Sequence, residues 1–197
     1  MPIKILDENT ANKIAAGEVI ERPASVVKEM IENSLDAGAE RIQIELEQGG
    51  ADLVRVIDDG CGMSPDDLAL AFLSHATSKI SSAEDLFSVT TLGFRGEALP
   101  SIGAVSRARL VSRRRESDEG AEIECVAGRL SELRARGAPP GTLAEARDLF
   151  FNVPARRKFL RSVPTELSYI CEIVTRAALS RHAVAFTLRH NGRDIFN

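Results

Sequence analysis

Cysteine is scarce in this 197-residue chain: Cys61, Cys125 and Cys171 are the whole set, and they lie far apart. An odd, scattered trio makes neither a disulfide framework nor a zinc ligand set, which points to a reducing cytosol. The three histidines, His75, His182 and His190, show no metal-ligand spacing and read as structural or surface residues. No apolar run approaches the roughly 20 residues of a membrane span. The opening residues 1–8 lack the apolar stretch of a secretory signal. Positive charge is not in excess either. Lys and Arg number 25 against 29 Asp and Glu, a net charge of -4, so nothing in the charge balance predicts strong non-specific DNA binding by this piece alone. There is no internal repeat and no long low-complexity segment. What is there is an ordinary globular balance, 44% hydrophobic and 27% charged. A chain of this length buries roughly 70% of its unfolded surface and needs no staples. It fits one domain, or one domain and the start of another.

Residues 1–16 read as an extended arm. Pro23 suits the first turn of a helix over 23–36, with Val26, Val27, Met30, Ile31 and Leu35 as its apolar stripe and Gly38 just past its end. Period two then takes over. Ile42, Ile44 and Leu46 alternate with polar residues, Gly49-Gly50 turns, and Leu53, Val54, Val56 and Ile57 return, so 42–57 predicts a hairpin. Pro65 starts a helix to about residue 73. Residues 74–96 are rich in Ser, Thr and Gly. That is long for a connection, and such connections are lids or disordered. Strands follow at about 105–113, 121–127, 129–136 and 142–148, with Gly128 as a turn, a charged loop at 113–120 and a break at 137–141. Pro154 opens a short basic helix. Residues 164–180 form an amphipathic helix with Leu167, Ile170, Cys171, Val174 and Leu179 inward. Residues 184–188 make a last strand, and Asn191-Gly192 begins a hairpin turn five residues before the end. That strand is expected to lack its partner, as in a piece of a longer protein. The mix gives an α+β two-layer sandwich.

Four patterns carry chemistry. Glu29 and Asn33 are four apart and share one helix face. A carboxylate there can accept a proton from water. An amide oxygen can hold magnesium, which takes few protein oxygens, without adding repulsion against a triphosphate. Asp36 is expected to brace the helix end by a local hydrogen bond. Asp58 ends an apolar strand, where a buried carboxylate needs a donor. The exocyclic amine of adenine is one, and Gly60 and Gly62 let a flat base approach the backbone. Gly93-Phe94-Arg95-Gly96-Glu97-Ala98-Leu99 can present helix N-terminal N–H groups to a phosphate, although it is neither a Walker A loop nor a Rossmann fingerprint. Thr77, Ser78 and Lys79 add two hydroxyls and a cation, and Thr142 a hydroxyl at a strand start. Each pattern alone has a plainer reading: an exposed helix glutamate, an Asp-Gly turn, a loop, a Pro-Gly turn at 139–142. Arg156-Arg157-Lys158 reads as a solvated helix face or a partner contact. Together they are the parts of a magnesium-dependent ATPase.

In order along the chain, these motifs resemble the GHKL ATPases, which include DNA gyrase, large heat-shock chaperones, histidine kinases and the mismatch-repair MutL family. The MutL likeness is the nearer one. Ile14-Ala-Ala-Gly-Glu-Val-Ile-Glu-Arg-Pro23, Ser74-His-Ala-Thr-Ser-Lys-Ile80, Leu92 to Leu99 and Asp148-Leu-Phe-Phe-Asn-Val-Pro-Ala-Arg-Arg-Lys-Phe-Leu160 carry it, across nearly the whole chain. The resemblance implies a mixed, mainly antiparallel sheet with helices on one face, an arm over 1–16 and an ATP-binding domain over 17–197. It implies ATP and Mg²⁺ as ligands, Glu29 as base, Asn33 as metal ligand, Asp58 as adenine reader, and Thr77 with the loop from Gly93 to Leu99 as a lid on the phosphates. Thr142 would lie near the base. It further implies a homodimer on nucleotide binding with the arm crossing to the partner, and work with MutS, a downstream nuclease or helicase, and DNA through the full-length protein. A following domain would supply a lysine to the γ-phosphate and is expected to be absent here, with weak turnover as the result. Pro100 departs from the family's small residue and predicts a helix bent or ended there, and 113–140 departs as a peripheral region. A topoisomerase-type ATPase and a nucleotide-binding module with little turnover are the alternatives. A histidine-kinase domain needs no water-activating glutamate.

Overall fold

The structure, a computed structural model, describes residues 16–17, 19–79, 91–93 and 95–196. The expected arm lies outside the described residues apart from Ala16, as do residues 80–90 and Phe94 of the long connection.

Helix α1 spans Pro23–Asp36, with Pro23 in its first turn, where a missing N–H costs nothing. Its stripe of Val26, Val27, Met30 and Ile31 is buried, each at 2% exposure or less. Ala37 donates its N–H to Asn33 O, and Gly38 at φ +70° turns the chain out of the helix, a left-handed conformation open to glycine. Strands β1 (Arg41–Glu47) and β2 (Leu53–Asp58) form the expected antiparallel hairpin, with Ile44 opposite Val56. Alternation puts Ile42, Ile44 and Leu46 into the core.

Helix α2 is Pro65–Leu70, shorter than the pattern suggested, with a capping box between Ser64 and Asp67. Helix α3, Ala98–Val105, corrects two expectations. Residues up to Val105 are helical rather than the start of a strand. Pro100 neither bends nor ends this helix, because it sits in the first turn, where N–H groups have no intrahelical acceptor. Gly103 lets α3 press on the sheet: a Cβ there would meet Cys125 Sγ at 2.6 Å.

Strands β3 (Arg107–Arg113) and β4 (Ala121–Val126) follow as predicted. The continuous strand expected at 129–136 is instead two short pieces, β5 (Arg129–Leu130) and β6 (Arg134–Ala135), both paired to β4. All four of these residues are exposed, so nothing apolar holds a longer strand in place. Strand β7 is Gly141–Arg147, helix α4 Pro154–Phe159 and helix α5 Val163–Ser180. Ile170 and Val174 of α5 are buried, but Leu179, expected inward, is 78% exposed. Five residues past Val174 is about 140° around the helix from it, off the buried stripe. Within the basic run, Arg156 is not simply solvated: a Cβ on Gly17 would overlap its guanidinium.

The last strands correct a further expectation. Strand β8 (Ala185–His190) pairs with β1 in parallel and, through the Asn191-Gly192 turn, with β9 (Arg193–Phe196) antiparallel, so it has its partner within the chain. Asn191 and Gly192 both adopt positive φ, as a tight hairpin turn demands. The described strands join one sheet in the order β5-β4-β3-β7-β2-β1-β8-β9, with β6 also on β4. It is mixed and mainly antiparallel, in an α+β architecture. Helix α1 lies on β2, β1 and β7, with α5 against α1 and β8. The opposite face carries a charged row across β1, β2 and β7, where Arg55 sits between Glu45 at 2.6 Å and Glu145 at 2.7 Å.

Candidate functional site

Asp58 ends β2 with its carboxylate under the last turns of α1. It is 9% exposed. Ser34 Oγ donates to its Oδ2 at 2.7 Å. Its Oδ1 accepts from Gly60 N at 3.0 Å and Thr142 N at 3.3 Å. Burial pushes the Asp58 pKa up, and these three donors pull the other way without reversing it; the nearby Asp59 charge adds to the rise. A carboxylate has about four lone-pair sites, so three neutral donors leave room for one more. The glycines around it fit close approach. A Cβ on Gly60 would lie 2.9 Å from Ala37 Cβ, and one on Gly62 2.0 Å from Arg113 O. Gly141, at φ +114°, backs directly on Asp58: a Cβ there would meet Asp58 O at 2.0 Å. Asp59 turns away and accepts from the N–H groups of Glu40 and Arg41, fixing the start of β1.

The same helix carries the second half. Ser34, which reaches Asp58, is the neighbour of Asn33, and Glu29 lies one turn earlier. Glu29 is partly exposed and has Lys28 Nζ at 3.4 Å. Asn33 Oδ1 accepts from Lys79 Nζ at 2.9 Å. Asp36 does not brace the helix end locally, as its sequence position suggested. Its Oδ2 takes Lys79 Nζ at 2.6 Å and Gly93 N at 3.2 Å, and its Oδ1 takes Leu92 N at 2.9 Å. Its side chain is 8% exposed. Burial alone would raise the Asp36 pKa, but the Lys79 ammonium and the two N–H donors outweigh it, so the carboxyl sits below its ordinary value. The reason is geometric: Asp36 is the last residue of α1, and its carboxylate lies beside the returning loop rather than over its own last turn.

The two described flanks of the long connection meet here. Thr77 Oγ1 accepts from Lys79 N at 3.1 Å, and Ser78 is exposed. His75 bonds Glu97 through both its backbone N and its ring, at 3.1 and 2.6 Å. Gly96 backs on Ala76, leaving no room for a Cβ. Ala98 and Leu99 open α3, whose first intrahelical bond runs from Ser101 N to Glu97 O. Arg95 is exposed and Phe94 lies outside the described residues. The structure therefore gathers Asn33, Asp36, Lys79 and Gly93 at the C-terminal end of α1, with Glu29 one turn before Asn33 on the same helix, and Asp58, Gly60 and Thr142 beside its face.

Several contributors escaped sequence reading. Ser34 is a buried serine on the apolar side of α1, flagged only by its polarity. Ser112 bonds Gly141 O, Thr142 Oγ1 and Met63 N, all at 2.9 Å, and so ties three segments around Asp58. Nothing in its strand distinguishes it. No group of three or more His, Cys, Asp or Glu is placed to hold a metal among the described residues. The oxygens of Asn33 and Asp36 nevertheless converge on a cation, the Lys79 ammonium, so this pair fits a hard metal ion.

Residues 20–126 match the family described as histidine kinase-, DNA gyrase B- and HSP90-like ATPase, which is more than half of the chain. The chain belongs to this ATPase family. Within the family its likeness is to MutL. It is 59% identical over 194 residues to the DNA mismatch repair protein MutL of Syntrophotalea carbinolica, covering 98% of this chain and 31% of that protein. To the Clostridium botulinum MutL it is 54% identical over 195 residues, 99% of this chain and 29% of that one. Among solved structures, the Aquifex aeolicus MutL ATPase domain complexed with ADP superposes with a TM-score of 0.71 at 40% identity, covering 90% of this chain and 63% of that one. The chain spans about a third of the length of the MutL proteins it matches. The sheet with its helices is the ATPase-family fold, and no helix among the described residues is long and apolar enough to cross a membrane.

Proposed function

We propose that this chain binds ATP with Mg²⁺ and hydrolyses it, and that nucleotide-driven switching and dimerisation serve DNA mismatch repair in the cytoplasm, in concert with MutS, a downstream nuclease or helicase, and DNA. The observation that carries the reading is Asp58: a buried carboxylate with one acceptor position left, coupled through Ser34 to the helix that bears Glu29 and Asn33. The ADP bound by the Aquifex relative supports it. The 17–197 region acts as the nucleotide-binding domain, within a protein of MutL length.

In this reading Asp58 accepts a hydrogen bond from the adenine amine, with Gly60, Gly62 and Thr142 against the base. Asn33 would hold the magnesium ion, which when bound offsets the charge of the phosphates. Glu29 takes the proton of the attacking water at its carboxylate. The N–H groups of Ala98 and Leu99, at the start of α3, have no intrahelical partner and face phosphate oxygens. Thr77, Ser78, Lys79 and the Gly93–Leu99 segment close over the phosphates and exclude bulk water. Titration of the chain with a non-hydrolysable ATP analogue, with and without Mg²⁺, tests this. Stoichiometric binding that Mg²⁺ strengthens, and that Mg²⁺ no longer strengthens in Asn33→Ala, is expected. No binding would overturn the reading.

A further inference from the structure

Closure over the phosphates does not by itself explain the partners that Lys79 takes on α1. Its ammonium lies 2.6 Å from Asp36 Oδ2 and 2.9 Å from Asn33 Oδ1, with its side chain only 19% exposed. A cation held between an amide oxygen and a carboxylate oxygen is what a hard metal ion seeks. The position is also tied to the loop. Asp36 takes the N–H groups of Leu92 and Gly93 on the same carboxylate, and a Cβ on Gly93 would come 3.3 Å from Nζ. The turn that presents Lys79 is itself closed by its own N–H on Thr77 Oγ1. One carboxylate therefore gathers both flanks of the long connection onto α1, and one ammonium neutralises it.

We propose that Lys79 is a tethered stand-in for the metal ion: it competes with metal for the Asn33–Asp36 pair and, while it holds the pair, latches residues 77–79 and 91–93 to α1. This rests on the reading that Asn33 is the metal ligand. Metal and Lys79 cannot share Asn33 Oδ1, because two cations at one oxygen repel and a 2.9 Å contact leaves no gap between them. Loading of metal with nucleotide then releases the ammonium, and the released charge is free to turn to an anion. The latch makes metal binding conditional on nucleotide, since the triphosphate supplies the oxygens that outcompete a side chain already in place.

The test measures Mn²⁺, as a paramagnetic probe for Mg²⁺, binding to the nucleotide-free chain by electron spin resonance. Wild type should bind it weakly. Lys79→Met should bind at least tenfold more tightly, and Lys79→Arg, which keeps the charge, should stay near wild type. Adding Asn33→Ala to Lys79→Met should abolish the gain. Amide exchange at Leu92 and Gly93 should quicken in Lys79→Met and not in Lys79→Arg, while unchanged protection of β1 and β2 in both reports that they fold. Equal Mn²⁺ affinity in wild type and Lys79→Met would overturn the latch. If Mg²⁺ still strengthens nucleotide binding in Asn33→Ala, the metal reading itself fails, a result separate from failure of the latch alone.

Discussion

Two aspartates on either side of the end of α1, one buried and one half-buried, behave in opposite ways. Asp58 is buried and Asp36 half-buried, but burial raises the pKa of both and so cannot by itself send them in opposite directions. Their partners do. Asp58 sits at the end of a central strand and receives only neutral donors, Ser34 Oγ and two backbone N–H groups, and its pKa is raised by burial. Asp36 sits at a helix end and receives an ammonium besides two N–H groups from a loop more than fifty residues away, and its pKa is lowered. One end is built on strands around a fixed carboxylate with neutral donors, suited to reading a flat base. The other is built on loops around a charged, exchangeable contact, suited to phosphates and a cation. In the proposed reading, recognition rests on the sheet and switching on the connection.

The sharpest way to separate the two ends is through turnover. Glu29→Ala, at the charged end, should spare nucleotide binding and cut hydrolysis by roughly 10²- to 10⁴-fold in the longer protein, the usual worth of a positioned base. Steady-state ATPase assays check it, and turnover within about twofold of wild type would remove Glu29 from that role. At the neutral end, Asp58→Asn should do the reverse and weaken ATP binding. It trades a charge-assisted bond for a neutral one, a loss of roughly 1.5–3 kcal/mol, or about ten- to a hundredfold in affinity by calorimetry.

Amide exchange sharpens the contrast further. Residues 74–79 and 95–99 should gain protection when the ATP analogue and Mg²⁺ are added, whereas 53–58 in the sheet should scarcely change. Equal changes in both would break the distinction. The smallest effect is on pH dependence of stability. The lowered Asp36 pKa gives stability that is present above the unfolded value of about 4 and lost as pH falls through the folded value. The raised Asp58 pKa has the opposite sign: its folded state holds a proton longer, so stability falls as pH rises from about 4 through the raised value. In urea unfolding between about pH 2.5 and 6, Asp36→Asn should flatten a rise with pH, and Asp58→Asn should flatten a fall.

How much of this was legible in sequence follows the same divide. The sheet end was readable because period-two apolar residues fix which face of β2 is buried, and Asp58 falls in step with Val54 and Val56. Helix α1 was readable from its stripe and from Pro23 and Gly38. The charged end was only half readable. Glu29 and Asn33 share a helix face by spacing alone, but the contact of Lys79 and Gly93 with Asp36 joins residues 43 and 57 positions apart, which no local pattern reports. Helix α3 was expected to start here but not to run on to Val105, because Pro100, Gly103 and Val105 are poor helix formers singly, while packing on β4 and a proline in the first turn remove their cost. Leu179 was misplaced because its apolar character says nothing of its angle around α5. Ser34 and Ser112 were missed because their work is to fit Asp58 and Thr142, and that fit exists only once α1, β2, β3 and β7 lie together.

The central claim is that the neutral end reads adenine while the charged end handles phosphates. The direct measurement is the affinity of the wild-type chain for ATP against GTP, by calorimetry with Mg²⁺ at neutral pH. Both nucleotides carry the same phosphates and ribose and differ at the group facing Asp58: adenine offers an amine donor, guanine a carbonyl acceptor that a carboxylate repels. The account predicts that ATP binds more tightly than GTP by at least about tenfold, the worth of a charge-assisted hydrogen bond. Equal affinities would contradict it.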